Sequence, residues 1–280
     1  MFEPFQYEFF IRGMVAATLV GGLCGLIGVY IVLRQMAYIG HGLSHAIFGG
    51  AVVSYVLSIN FFLGASAWGF LSALIITFTA RRKEIAADAA IGIVTTASFA
   101  LGLALISRYK TFTRNFDAAL FGNILGVSGQ DLAAIIVVSL ISVVAIILGY
   151  KLLLFTAFDR EVAHFHGVPT GWIDTGFSLI LAATIVVSLQ VLGVTLIASA
   201  IVIPPIVARL LTNSFMKMII LSSIIGSLCG LCGIYLSFYI DVSSGATIVL
   251  FSTALFSIVM AYTSLRNKSR LRRMSNLSEM

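Results

Sequence analysis

MAYIGHGLSHAIFGG, residues Met36 to Gly50, is an almost wholly apolar segment interrupted by two imidazoles, His41 and His45. Four residues apart on an α-helix, they lie one turn apart on the same face, where two ring nitrogens can hold one metal ion. An ionisable group inside a membrane span is costly and as a rule faces a bundle interior or a cavity. On spacing alone two readings stand: a pair of metal ligands, or two rings that hydrogen-bond neighbouring helices.

Outward from this stretch the composition is that of a membrane protein. Of 280 residues, 60% are hydrophobic and only 10% charged, against roughly 25% charged in soluble domains. The stretches between apolar runs are too short for a folded catalytic domain, so residues 1–280 are expected to form a single transmembrane unit. The first apolar run follows acidic Glu3 and Glu8 and has full spanning length, unlike a cleavable signal peptide. The formal charge of +6 is a statement about membrane orientation rather than nucleic acid, because the basic residues cluster at span ends. Cys24, Cys229 and Cys232 all sit in apolar runs; Cys229 and Cys232 have C-x-x-C spacing but lie beside Gly226 and Gly230, which favours close helix packing over redox or metal chemistry.

Runs of about twenty apolar residues cross the hydrocarbon core, and they are expected at Gly13–Leu33, Tyr38–Ile59, Phe61–Ala80, Ala89–Ser107, Leu132–Tyr150, Met218–Ile240 and Gly245–Leu265, with one long run from Thr175 to Val207. If the long run is one span the chain has eight; if it folds back near Gln190 to Gly193 it has nine. Nine spans collect Arg34, Arg81, Arg82, Lys83, Lys151, Arg160, Arg209, Lys217 and the tail residues Arg266, Lys268, Arg270, Arg272 and Arg273 on one side, leaving Arg12, Arg108, Lys110 and Arg114 on the other. That asymmetry selects nine spans, the amino terminus outside and a basic tail, residues 266–280, in the cytoplasm. Gly21 and Gly25, like Gly226 and Gly230, permit close helix contact. Trp68 and Trp172 are expected at span ends, and Pro204 and Pro205 at a kink.

Two loops have content. Arg108 to Gln130 mixes apolar and polar positions on the outside and could fold as a short surface helix. Residues 155–172, inside, carry a short helix signal: Asp159 at the cap, Glu161 in the first turn, Val162, Phe165 and Val168 on one side, and Gly167 and Pro169 as the stop. Its apolar side needs a soluble partner. His164 and His166, two residues apart, point to different faces and read as contact or solvent residues rather than ligands.

Six stretches in order, VYIVLRQMAYIGHGLSHAIFGG, DAAIGIVTTASFALGLALIS, LFGNILGVSGQDL, AFDREVAHFHGVP, LQVLGVTLIASAIVIPPIVARLLTN and YIDVSSGATIVL, resemble the permease subunits of bacterial ABC importers for manganese, zinc and iron. The resemblance implies an all-α polytopic fold of type II ABC importer permease architecture, working as a homodimer in the bacterial cell membrane. It implies that AFDREVAHFHGVP, with Asp159, Arg160, Glu161, His164, Gly167 and Pro169, is the coupling helix that docks on a cytoplasmic ATPase dimer, and that LFGNILGVSGQDL lies near an external metal-binding protein. It places His45 at a histidine that faces the translocation path and His41 where the family has an aspartate. In a symmetric dimer two His41 and two His45 would then surround one axis, a softer, less negative site than one with carboxylates, and one whose affinity depends on pH because a protonated ring cannot ligate.

The expectation is therefore a permease that passes a divalent transition metal ion as cargo, with no permanently bound cofactor and ATP used by the partner, since the chain has no GxxxxGKS or GxxxxGKT loop. Two rivals remain: an intramembrane metalloenzyme built on His41 and His45, which lacks the glutamate of an HExxH motif, and a secondary metal transporter, which would need a buried acidic residue where the spans offer only Asp88 at a boundary.

Overall fold

In the computed structural model, residues 3–82, 85–109 and 120–278 are described. They form α1 (Glu8–Leu33), α2 (Tyr38–Val56), α3 (Phe61–Ala80), α4 (Ala87–Tyr109), α5 (Gly129–Phe158), α6 (Arg160–Phe165), α7 (Thr170–Leu211), α8 (Phe215–Ile240) and α9 (Ser244–Ser278), with 3-10 turns at Glu3–Gln6 and Ile124–Gly126. No strand occurs among the described residues. Helices satisfy their own backbone groups, which is what hydrocarbon demands of a spanning chain. Seven of them are long and apolar enough to cross a membrane: α1, α3, α4, α5, α7, α8 and α9. The glycine-, serine- and histidine-bearing α2, 19 residues long, fills the space between them.

The long helix α7 holds the answer to the span count. Gly193 alone leaves helical geometry, at φ 72 and ψ 166, a combination open essentially only to glycine. Its neighbours show what the break does. Before it, Asp174 meets Arg34 at the end of α1, and Ser188 meets Cys24 farther up the same helix. After it, the chain returns: Ile201 and Pro205 pack on Gly28, and Phe215, just past α7, lies 5.5 Å from Tyr30. Both ends of α7 are therefore at one end of the bundle. Residues 170–192 rise about 34 Å and residues 194–211 descend about 27 Å, at 1.5 Å per residue. Counted as two arms, with α2, they bring the described spans to nine.

Pro204 and Pro205 do not make the break; they lie buried in the descending arm without disturbing its helical angles. Pro205 has no N–H for the carbonyl of Ile201 four residues back. That carbonyl turns to Gly28, where a Cβ would sit 3.0 Å from the carbonyl carbon and 2.9 Å from Pro205 Cγ. A glycine on α1 thus gives the freed oxygen a close neighbour.

The small residues read as packing signals pair with each other. Down the antiparallel α1–α8 seam, Gly25 faces Ser222, Gly21 faces Gly226 and Ala17 faces Gly230, backbone against backbone. Ser222 Oγ donates to the Gly25 carbonyl at 2.6 Å. Such contact is the main adhesive available between helices in lipid, where apolar burial drives no association. With α1 and α7 innermost and α5 and α9 mostly open, the exposed Ile141, Ile147 and Leu148 of α5 suit a lipid-facing position.

Several boundaries differ from expectation. α5 runs eight residues past Tyr150, and its start is fixed by a capping box in which Ser128 and Asp131 exchange side-chain to backbone bonds. The tail continues α9 as helix to Ser278. Trp68 packs on Gly50 of α2, and among the described residues its buried indole N–H has no partner. Trp172 does stand at a helix start, exposed. Lys83, Lys110, Arg114 and the stretch 110–119, part of the Arg108 to Gln130 segment in which a surface helix was expected, lie outside the described residues. The basic residues Arg34, Arg81 and Arg160 do share one end, where Arg81 donates to the Gly171 carbonyl and to Thr175 Oγ1.

Candidate metal path and coupling surface

Thirteen of the 19 residues of α2 are buried. Glycines let its neighbours approach: Gly42 meets Ile91 and Thr95 of α4, Gly49 meets Ser98, Gly50 meets Trp68 of α3, and Gly40 meets Ala198 and Ile201 of α7. Ser44 Oγ donates to the Val194 carbonyl at 3.0 Å, pinning α2 beside the α7 reversal. His41 and His45 are half-buried, on the strip that α3, α4 and α7 leave uncovered. Their ring centroids are 4.5 Å apart at an interplanar angle of 68°. Tyr38 flanks His41 at 5.5 Å and Phe99 flanks His45 edge-on at 5.1 Å. The pair expected from the spacing is thus brought together. Among the described residues no cluster of three or more His, Cys, Asp or Glu could hold a metal ion, so the pair stands there without a third strong ligand.

At the other candidate region, Asp159 caps α6 by accepting from Val162 N at 2.9 Å. Gly167, at φ 77, ends the turn, and Pro169 starts α7. Ala163 is the one buried residue of α6. Phe165 is 94% exposed, with Val162, Phe158 and Trp172 also open. The apolar side of this helix therefore faces away from the bundle. Glu161 and His164 are exposed, whereas His166 is structural, its Nδ1 2.9 Å from the Val162 carbonyl.

Sequence reading missed Asp174. Its Oδ1 accepts from Arg34 Nη1 and its Oδ2 from Arg160 Nη2, both at 2.9 Å, while Arg34 Nη2 donates to Thr156 Oγ1 at 2.9 Å. Burial pushes the Arg34 guanidinium down from its ordinary value, and Asp174 works against that shift. The available signal was an acidic residue directly preceding the longest apolar run, on the same side of the membrane as the basic Arg34 and Arg160.

A second unanticipated contact closes the opposite end. Asn123 N donates to the Gln190 carbonyl at 2.9 Å and Thr195 Oγ1 to the Leu120 carbonyl at 2.8 Å. Residues 120–123, inside the stretch 108–130 that was expected on the outside, therefore sit on the apex of the α7 hairpin.

These features define a multi-pass helical membrane protein of transporter architecture, with paired imidazoles on an inner helix and an exposed apolar helix at one end. Residues 6–263 match the ABC 3 transport family, and the chain belongs to it. It is 37% identical over 258 residues to the manganese transport system membrane protein MntC of Halalkalibacterium halodurans, covering 92% of this chain and 88% of that one. The PsaBC complex of Streptococcus pneumoniae, solved with a Fab, superposes with a TM-score of 0.81 at 33% identity, covering 90% of this chain and 91% of the matched chain. A metal-chelate type ABC transporter in an inward-facing conformation shares the fold, with a TM-score of 0.68 at 16% identity over 90% of this chain and 86% of that one. Family membership makes this a transporter permease of the bacterial plasma membrane and sets aside the intramembrane metalloenzyme and the secondary transporter.

Proposed function

We propose that this chain is the membrane permease of an ATP-driven importer for a divalent transition metal ion, manganese, zinc or iron, and that it works as a homodimer. The observation that carries this is the uncovered strip of α2. Two half-buried imidazoles 4.5 Å apart are half of a coordination shell, and a second copy related by a two-fold axis would supply the other half. Four neutral imidazoles suit zinc or iron better than manganese, which prefers oxygen ligands. The manganese relative named above keeps that ion among the candidates. A cytoplasmic ATPase dimer would dock on α6 through Phe165, Val162, Arg160 and Glu161, whose apolar side no described residue covers. An external binding protein would deliver the ion near residues 120–132. Conduction needs a weak site, so His41 and His45 would hold the ion only transiently.

The test is uptake of manganese, zinc and iron by cells that lack the chain and are complemented with wild type, His41→Ala or His45→Ala. Loss of a ligand should lower uptake of the transported metal at least about tenfold. Wild-type rates for all three metals in both variants would refute the paired-imidazole path.

A further inference from the structure

One carboxylate joins the parts that the proposed cycle has to move together. Asp174, with a side chain 14% exposed, divides its two oxygens between Arg34, 10% exposed, and Arg160, 49% exposed. Arg160 opens α6, the exposed helix of the docking surface. Arg34 caps α1, reaches Thr156 near the end of α5, and lays its guanidinium 4.8 Å over the Phe177 ring of α7. From Arg34 the chain enters α2 through a tight turn, with Gln35 at φ 56 and Met36 N bonded back to the Ile31 carbonyl. No loose loop separates the clamp from the helix that carries His41 and His45.

Beside the clamp lies a cavity of about 430 Å³, with Met36 and Ile39 at the α2 side and Phe158 and Arg160 at the α6 side. It gives α6 room to swing toward α2 without expelling packed side chains, which close-packed interiors elsewhere resist. Folding alone does not call for the arrangement. A buried ion pair is weak evidence for stability against apolar side chains of the same volume, and the half-exposed arm to Arg160 adds little.

We infer that Asp174 is a positioning residue that transmits displacement of α6 to α1 and α2, so that ATPase movement changes the setting of the histidine pair. This rests on the chain being an ATP-driven permease.

The test uses the full permease with its ATPase and binding protein in proteoliposomes, with uptake of Mn²⁺, Zn²⁺ and Fe²⁺ measured per ATP hydrolysed. Asp174→Asn should still assemble with the ATPase and keep basal ATP hydrolysis, while ions moved per ATP fall about 2- to 30-fold, the range of coupling changes produced by residues that touch neither ligand. Asp174→Glu, which keeps the charge, should recover part of the ratio. A wild-type ratio in Asp174→Asn overturns the proposal. Because that variant leaves Arg34 charged and buried, Arg34→Gln with Asp174→Asn is the second variant, and it should show the same uncoupling. A wild-type ratio there, or failure of both variants to assemble, assigns the clamp to folding alone and likewise overturns it. Wild-type protein that moves none of the three ions would instead defeat the functional reading, a result distinguishable from these.

Discussion

Replacing Gly193 by alanine should damage the protein more than any other single methyl addition to α7. The residue sits at φ 72 and ψ 166, a region that costs a residue with a Cβ about 1–3 kcal/mol. The added carbon would lie 2.6 Å from the carbonyl carbon of Leu120, and closer still to the Leu120 oxygen and the Gly122 nitrogen. All three are backbone atoms that cannot rotate away, so overpacking adds about 1–3 kcal/mol. The middle of the combined range is about 4 kcal/mol, roughly a 10 °C fall in Tm for a chain of this size. The control is Gly176→Ala in the ascending arm, where a Cβ meets nothing within 4 Å; there the helix should gain about 0.5–1 kcal/mol. Thermal unfolding of both variants in one detergent, followed by tryptophan fluorescence, reads the difference. If Gly193→Ala melts with the wild type, the chain does not reverse at this residue in the way described.

Other substitutions test the remaining contacts. Gly226→Val would place its Cβ 2.8 Å from the Gly21 carbonyl carbon and force α1 and α8 apart at a cost of about 3 kcal/mol; size-exclusion profiles should show loss of the monodisperse peak, and an unchanged peak would mean the seam can open freely. Asp159→Ala removes the bond to Val162 N, worth about 1 kcal/mol. In a helix of six residues that should reduce co-purification of the ATPase, and undiminished recovery would count against α6 as the docking element. Ser44→Ala loses the bond to the Val194 carbonyl and should cost about 0.6 kcal/mol, the average for such bonds between membrane helices. The same hydroxyl also reaches the His41 carbonyl at 2.8 Å, and a loss of several degrees in Tm would show that the two contacts together hold α2 more firmly than that average.

What could be read from residues alone follows the range over which each cause acts. Apolar run length is local, and it located the spans to within a turn at most ends. Charge asymmetry is a property of the whole chain, and it placed the reversal in the window that ends at Gly193. The histidine pair followed from helical periodicity. Asp174 did not, because its partners are 140 residues before it and 14 before it, and no pattern within one segment announces such a meeting. Trp68 misled for a related reason: an indole near a span end suits an interface, but Gly50 on another helix offered a socket. The prolines pointed to the descending arm but not to the reversal: Pro204 and Pro205 keep helical angles, and the break is made by Gly193. The end of α5 was undercounted because Lys151 looks like a stop at a membrane boundary, whereas helix needs only backbone continuity to proceed past it.

A segment that enters and leaves by the same face is neutral for the orientation of everything translated after it. Each other long helix flips the sidedness of the downstream chain, but residues 170–211 flip it twice. During biogenesis this pair can be inserted late, or as one unit, with only the apex around Gln190 to Val194 carried across to the outside and no charged group crossing with it. The handedness of α8 and α9 relative to the membrane is thus decided before the hairpin is seated, and the basic tail keeps its compartment whichever of the two events comes first.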